Sequence, residues 1–209
     1  ISLMQHSLKL GFNKFLIMNV AYYKNEDSGV YNFYKNIINS VPDSKIILYN
    51  FSKLSGYTFS PEVTKRLVKD FPKNIVGMKD STGNLWNNFK AKNFSMFVGS
   101  EKKLLDGLKA GAAGCISATT NVTGSLAKKV YDDFHKSRDS SEDAKLKALR
   151  TVFDETGNLI SALHTLKSIE NKAYKNMLPP LEILDDEKKN EMLKKLKELN
   201  FLSNKNIAA

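Results

Sequence analysis

The feature that most constrains this chain is a repeated alternation of short, continuously apolar runs with longer amphipathic stretches. The runs read as strands at Phe15 to Tyr23, Lys45 to Asn50, Ile75 to Asp80, Ser95 to Gly99 and Gly114 to Ala118. Phe15-Leu16-Ile17-Met18-Asn19-Val20-Ala21-Tyr22-Tyr23 is too short and too evenly apolar for a surface helix, and suits a strand buried on both faces. Ile1, Met4 and Leu8 follow helical spacing, so the chain is read as beginning inside a helix that Gly11 ends. A second helix is expected over Val30 to Ile38, stopped by Ser40-Val41-Pro42. Ser60-Pro61-Glu62 puts a capping side chain, a proline and an acid where a helix starts, and that helix runs towards Asp70 and Pro72. Further helices are expected around Leu85 to Phe89, from Glu101 to Ala110 and from Ser125 to Lys136.

Strands and helices alternating at spacings of roughly 20 to 30 residues are repeated βα units, and such units build a parallel sheet. Right-handed crossovers then leave two architectures, a doubly wound sheet or a (β/α)8 barrel. No G-x-G-x-x-G follows the first strand, which argues against dinucleotide binding. Beyond Ser140 the pattern is helical only, with Ala144 to His164 and Glu187 to Leu199 on either side of Leu178-Pro179-Pro180-Leu181. The expected organisation is an α/β part over residues 1–138 and a helical extension over residues 139–209.

Composition removes several classes of function. The one cysteine, Cys115, lies in Ala112-Ala113-Gly114-Cys115-Ile116 and reads as a packed thiol, with no intramolecular disulfide available. His6, His135 and His164 are far apart and lack metal-ligand spacing, so neither a metal nor a cofactor is expected. A net charge of +10 raises the question of nucleic acid. The lysines of Lys188 to Lys197, however, alternate with Glu187, Glu191 and Glu198 as on a solvated helix face, and no arginine cluster accompanies them. No nucleic-acid partner is expected, while a positive field suits a small carboxylate substrate. No apolar run approaches the roughly 20 residues of a membrane span. Gln5, His6, Lys9 and Lys14 interrupt the start of the chain, and a cytoplasmic protein with no membrane partner is the expectation.

Tyr23, Tyr49, Lys79, Gly99 and Ser117 fall at the C-terminal ends of the expected strands. In a parallel α/β barrel that face holds the active site. A lysine is ordinarily solvated, but Lys79 follows Ile75-Val76-Gly77-Met78 inside a strand and precedes Asp80, so its stem is read as packed. Desolvated amines present more of the neutral form that attacks a carbonyl carbon. Tyr49 ends the preceding strand. Alone it is a rim aromatic; beside Lys79 its hydroxyl suits proton transfer during imine formation and carbon–carbon cleavage.

At these residues the chain resembles a known family. Tyr49-Asn50-Phe51-Ser52-Lys53-Leu54-Ser55-Gly56 resembles the Y-N-x-P-x-x-[ST]-G segment of the dihydrodipicolinate synthase and N-acetylneuraminate lyase family. Ile75 to Asn84 is similar to its Schiff-base lysine strand, Phe97-Val98-Gly99-Ser100 and Gly111 to Ser117 to its last two strands, and Tyr22-Tyr23 to the tyrosine pair after its fourth strand. The resemblance implies a TIM barrel of the (β/α)8 type, of which this chain carries strands 4 to 8. It implies a pyruvate-type 2-oxo acid as the small-molecule substrate, bound as an imine on Lys79, with Tyr49 as proton relay. Tyr23 completes that relay, in the family usually lent by a neighbouring subunit, which implies a homo-oligomer. Ser81, Gly99, Glu101 and Ser117 fall where the lyases contact the polar tail of their substrate; Ser81 and Glu101 equally suit helix caps.

Two departures shape the reading. Leu54 stands where the dihydrodipicolinate synthases have an arginine that holds a substrate carboxylate, and Ser52 replaces the usual proline. Loss of a bidentate guanidinium is not conservative. Together with the Lys79-Asp80-Ser81 sequence, this leans towards a lyase or aldolase for a 2-keto-3-deoxy sugar acid, N-acetylneuraminate-like, or 4-hydroxy-2-oxoglutarate; the alternative is 4-hydroxy-tetrahydrodipicolinate synthase. The family's first three strands, with the loop that holds the pyruvate carboxylate, have no counterpart in this sequence. Two further expectations follow: strand edges at Phe15 to Tyr23 and Gly114 to Ala118 covered by oligomerisation, and a weak or inactive catalyst. A basic binding module is the reading from another class.

Overall fold

The computed structural model describes residues 1–202. The chain forms two compact units, Ile1–Ile116 and Ser117–Ala209. The last residues of the expected 139–209 extension, 203–209, lie outside the described residues.

The first unit is built on a five-stranded sheet in the order β1 (Lys14–Met18), β2 (Lys45–Asn50), β3 (Ile75–Asp80), β4 (Ser95–Val98) and β5 (Gly114–Cys115). Every neighbouring pair is parallel. The spatial order follows the sequence order with no reversal, which is the order of a barrel and not of a doubly wound sheet. Its helices are α1 (Ser2–Lys9), α2 (Asp27–Ser40), α3 (Ser52–Ser55), α4 (Pro61–Asp70) and α5 (Leu104–Lys109).

Side chains alternate across each strand. On β2 the buried residues Ile46, Leu48 and Asn50 share one face, and the half-buried Ile47 and Tyr49 share the other. The buried face packs with Tyr34 and Ile38 of α2, Phe59, and Val63 and Leu67 of α4 in one apolar cluster. Register partners run Met18, Tyr49, Lys79, Phe97 and Gly114, so these residues form one row across the sheet. The next row contains Asn50, Asp80, Val98 and Cys115.

Several elements end where the sequence does not suggest. The first strand stops at Met18 and not at Tyr23, and where burial on both faces was expected none of its residues is buried. Tyr22 turns the chain with a φ of 81°, and the Asn25 amide donates to the carbonyls of Val20 (2.9 Å) and Tyr23 (2.8 Å), tying residues 20–25 into a loop. The short helix expected at Leu85 to Phe89 is a run of bends and turns, and the Asp80 carboxylate accepts from the N–H groups of Leu85 and Trp86 at its start. β5 keeps only Gly114 and Cys115. The start of α4 is as expected: Ser60 Oγ accepts from Val63 N at 3.1 Å and Pro61 opens the helix.

The second unit contains α6 (Thr120–Ser137), α7 (Asp143–Glu155), α8 (Leu159–Glu170) and α9 (Asp186–Glu198). The continuous helix expected from Ala144 to His164 breaks at Gly157, whose φ is +81°. Asn158 then caps α8 by accepting from Ser161 N at 3.1 Å. Lysine-rich α9 is held by Met192, Leu193 and Leu196, which pack with Leu149, Val152 and Phe153 of α7. Each such apolar side chain contributes about 1.5–3 kcal/mol on burial, whereas exposed pairs such as Lys195 with Glu191 add little. Among the described residues, no helix is long and apolar enough to cross a membrane.

Candidate active site

Lys79 lies one residue from the end of β3 and is 8% exposed. Because Tyr49 is its register partner on β2, the two side chains leave the same face of the sheet. The Lys79 Nζ sits 4.0 Å from the centroid of the Tyr49 ring. That ring is in turn stacked on Phe51, with centroids 5.9 Å apart and planes at 24°. The amine therefore lies buried against an aromatic face.

A polar network behind this row holds the loop that follows Lys79. The Asp80 carboxylate is buried and accepts from Asn50 Nδ2 (2.9 Å) and from the backbone N–H groups of Gly83 (2.8 Å), Leu85 (2.7 Å) and Trp86 (2.9 Å). Asn50 also donates to Asn84 Oδ1 (2.8 Å) and accepts from Phe59 N (3.2 Å). Buried carboxylates need such donors, since an unsatisfied one costs several kcal/mol. Sequence reasoning gave Asn50 and Asp80 no role. The signal was two polar residues immediately after Tyr49 and Lys79, on the face that otherwise packs on helices.

Ser52, in the place of a proline, has an N–H to give, and donates it to Thr82 Oγ1 at 2.9 Å. Leu54 on α3 is 57% exposed and presents no charge.

Ser81 and Gly99 are brought together. Ser81 N donates to Asn50 O (2.8 Å) and Gly99 N donates to Asp80 O (3.1 Å). A Cβ on Gly99 would lie 2.6 Å from Ser81 Cα and overlap Ser81 Oγ, so glycine is required there by close approach and not by an unusual φ. Glu101 is buried at the start of a short 3-10 turn, Glu101–Lys103. The cap of that turn is Ser100, whose Oγ accepts from Lys102 N at 3.3 Å. Glu101 and Lys79 both act electrostatically on Cys115. Burial pushes the thiol up, Glu101 pushes it further, and Lys79 partly offsets them, leaving it at about 11.

Tyr23 stands apart from this group. It is 69% exposed and pairs edge-on with Tyr22, with ring centroids 5.2 Å apart. Ser117, the first residue of the second unit, is buried and its Oγ accepts from Arg150 Nη1 at 3.0 Å. Cavities of that unit are lined by capping residues and helix side chains, Asn158 and Asp185 around one and Val122 and Leu166 around another. Among the described residues no group of three or more His, Cys, Asp or Glu is arranged to hold a metal ion.

Comparison with known proteins bears on the family and the fold. An uncharacterized DapA-like lyase of Chloroflexus aurantiacus is 27% identical over 192 residues, covering 87% of this chain and 64% of that protein. A protein named 4-hydroxy-tetrahydrodipicolinate synthase, from Buchnera aphidicola, is 34% identical over 203 residues, covering 90% of this chain and 65% of that protein. The chain thus spans just under two thirds of the length of these relatives. Among solved structures, dihydrodipicolinate synthase from Cyanidioschyzon merolae with lysine bound superposes with a TM-score of 0.82 at 21% identity, over 96% of this chain and 70% of that one. A prophage protein of the dihydrodipicolinic acid synthase family from E. coli K12, in complex with pyruvate, gives 0.81 at 20% identity, over 96% and 71%. These likenesses carry the fold, a partial (β/α)8 barrel with C-terminal helices. The sequence model of the Dihydrodipicolinate synthetase family matches residues 1–199, and the chain belongs to that family.

Proposed function

We propose that this protein is a class I aldolase or lyase that handles a pyruvate-type 2-oxo acid as an imine on Lys79. The observation that carries the reading is the Lys79–Tyr49 pair, with a buried amine on the tyrosine ring and no hydrogen bond or ion pair to Lys79 Nζ among the described residues. In cleavage, Lys79 Nζ adds to the C2 carbonyl and water leaves, forming the imine. The C4 hydroxyl gives up its proton, with Tyr49 as the relay, the C3–C4 bond breaks, and its electron pair moves into the protonated imine to give an enamine and an aldehyde. Protonation at C3 and addition of water then release pyruvate and restore the amine. Ser81, Gly99, Glu101 and Ser117 are proposed to meet the polar tail of the substrate. Tyr23, exposed on its loop, is proposed to complete the relay of a neighbouring subunit in a homo-oligomer.

For the substrate, the exposed Leu54 favours a 2-keto-3-deoxy sugar acid or 4-hydroxy-2-oxoglutarate over a partner whose carboxylate needs a guanidinium at that position. The second reading, condensation of pyruvate with aspartate semialdehyde, is favoured by the name of the Buchnera relative. Assaying the two reactions side by side separates them.

The test of the shared chemistry is reduction with borohydride in the presence of pyruvate, followed by peptide mapping. The expected result is a reduced adduct on Lys79 that is missing in Lys79→Met. A folded protein that gives no adduct overturns the proposal.

A further inference from the structure

One side chain joins the two chain segments that follow Tyr49 and Lys79. Thr82, two residues beyond the end of β3, accepts from Ser52 N at 2.9 Å through its Oγ1. The proton of the same hydroxyl is shared between Asn50 Oδ1 and Ser52 Oγ, each 3.3 Å away. Thr82 N donates to Asn50 O at 3.2 Å. Ser52 is the first residue of α3, a single turn that Gly56 ends in the left-handed region with a φ of 67°. So short a helix does not hold itself, because a first turn fixes several dihedral angles for one hydrogen bond. Among the described residues, Thr82 is the one hydrogen-bond partner of α3 that lies outside residues 51–57.

Phe51 therefore lies between two anchored residues. On one side Asn50 is fixed by its bonds to Asp80, Asn84 and Phe59. On the other, Ser52 is fixed by Thr82. The Phe51 ring is stacked on that of Tyr49, against which Lys79 Nζ also lies. The Tyr49 hydroxyl makes no hydrogen bond among the described residues, so the contacts of its ring decide where it lies. Proline has no N–H, so the bond from Ser52 N to Thr82 exists because this chain departs from the family pattern at that position.

We infer that Thr82 is a positioning residue, which fixes Phe51 through the Ser52 N–H and thereby holds the Tyr49 hydroxyl where it transfers protons during imine formation. The inference rests on the reading above, in which Lys79 forms the imine and Tyr49 is the relay. Thr82 acts through Ser52, Phe51 and Tyr49 and not by contact with substrate. A displacement of about 1 Å at a reacting group can cost about a hundredfold in rate, so a modest loosening of Phe51 is enough to be measured.

The experiment compares the intact chain with three variants and one combination. Thr82→Val keeps the branched shape and removes the hydroxyl, while Thr82→Ser keeps the hydroxyl. Ser52→Pro removes the N–H from the other side and suits the first position of a helix. Fluorine NMR of protein labelled with 3-fluorotyrosine reads the Tyr49 ring, its resonance assigned by its loss in Tyr49→Phe. On unlabelled protein, a time course of pyruvate adduct trapped on Lys79 by borohydride reads rate and final amount separately. Thr82→Val and Ser52→Pro are each expected to shift or broaden the Tyr49 resonance and to slow adduct formation about tenfold, to an unchanged final amount. Their combination is expected to be no slower, since both changes remove the same link. Thr82→Ser is expected to match the unsubstituted protein in both readouts. A Tyr49 resonance that does not respond in Thr82→Val and Ser52→Pro overturns the inference. So does a lower final amount reached at the unsubstituted rate, which is what loss of folded protein alone produces. Absence of adduct from the unsubstituted chain, with the resonance responding as expected, overturns the Lys79 chemistry and leaves the hold of Thr82 on Tyr49 standing.

Discussion

Tyr49 and Lys79 are register partners on adjacent parallel strands, and that pairing is what sets the amine 4.0 Å from the centre of the ring. The ring and its hydroxyl therefore have separable duties. The ring face walls the amine, while the hydroxyl is the only part of Tyr49 able to move a proton. Tyr49→Phe keeps the wall and removes the proposed relay. Adduct with pyruvate is expected to persist, while turnover of the full substrate falls by about 10² to 10⁴. Tyr49→Leu removes both, and adduct formation is expected to fall as well. Rapid-quench turnover beside borohydride trapping reads the two effects apart. A Tyr49→Phe protein with undiminished turnover removes Tyr49 from the relay.

Gly99 and Ser81 test a purely steric requirement. The added methyl of Gly99→Ala meets Ser81 Cα at 2.6 Å, and a backbone atom does not swing aside as the end of a side chain does. Both residues are also tied down, Gly99 N to Asp80 O and Ser81 N to Asn50 O. Overpacking of this kind costs about 1–3 kcal/mol, or a fall in Tm of several degrees for a chain of this size. Because the displaced residue is Ser81, KM for a tailed substrate is expected to rise more than KM for pyruvate. Equal effects on both substrates locate the damage in the fold and not in tail recognition.

The elements read well from sequence are those whose cause is local or periodic. Strands announce themselves as apolar runs, although burial does not follow from the run alone, since β1 has no buried residue, and Ser60-Pro61-Glu62 carries its own starting signal. Lys79 stood out because a lysine inside such a run conflicts with its neighbours. What the sequence hid depends on partners distant along the chain. β1 ends at Met18 although the apolar run continues, because the turn is made by Tyr22's backbone and the Asn25 amide. Asn50 reaches Asp80 across 30 positions, and Arg150 reaches Ser117 across 33. No periodicity marks such pairs. They follow only once the strand order has brought Asn50 beside Asp80, or the helices have brought α7 back to the turn at Ser117.

Asp80 gives a prediction about the loop after the lysine strand. Its carboxylate accepts one side-chain and three backbone N–H groups. In Asp80→Asn, one of the two oxygens becomes an NH₂ that faces donors. Hydrogen bonds to a charged group are worth about 1.5–3 kcal/mol each, so a loss of more than about 2 kcal/mol in unfolding free energy is expected by urea denaturation. Trp86, the chain's one tryptophan, lies in the loop and gives a local signal. Its fluorescence is expected to shift in the folded variant. A shift without loss of stability restricts the role of Asp80 to local order.

Cys115 reports on the charges around the amine without entering the reaction. Its thiol is pushed to about 11 from an ordinary value of 9.0 by burial first and Glu101 second, with Lys79 pulling the other way. Below pH 9 both folded and unfolded chains hold the thiol proton, and Cys115 adds no pH dependence. Between pH 9 and 11 the unfolded chain loses the proton while the folded chain keeps it, so this residue lowers stability as pH rises. Cys115→Ser is expected to flatten that part of the stability profile measured by urea denaturation. The neighbouring charges predict opposite changes in thiol reactivity. Lys79→Met removes a cation that favours the thiolate, so alkylation by iodoacetamide at fixed pH slows. Glu101→Gln removes an anion that disfavours it, so alkylation speeds up. Changes of the same sign in both variants mean that accessibility, and not charge, controls the thiol, and that Lys79 and Glu101 do not act on it as a pair.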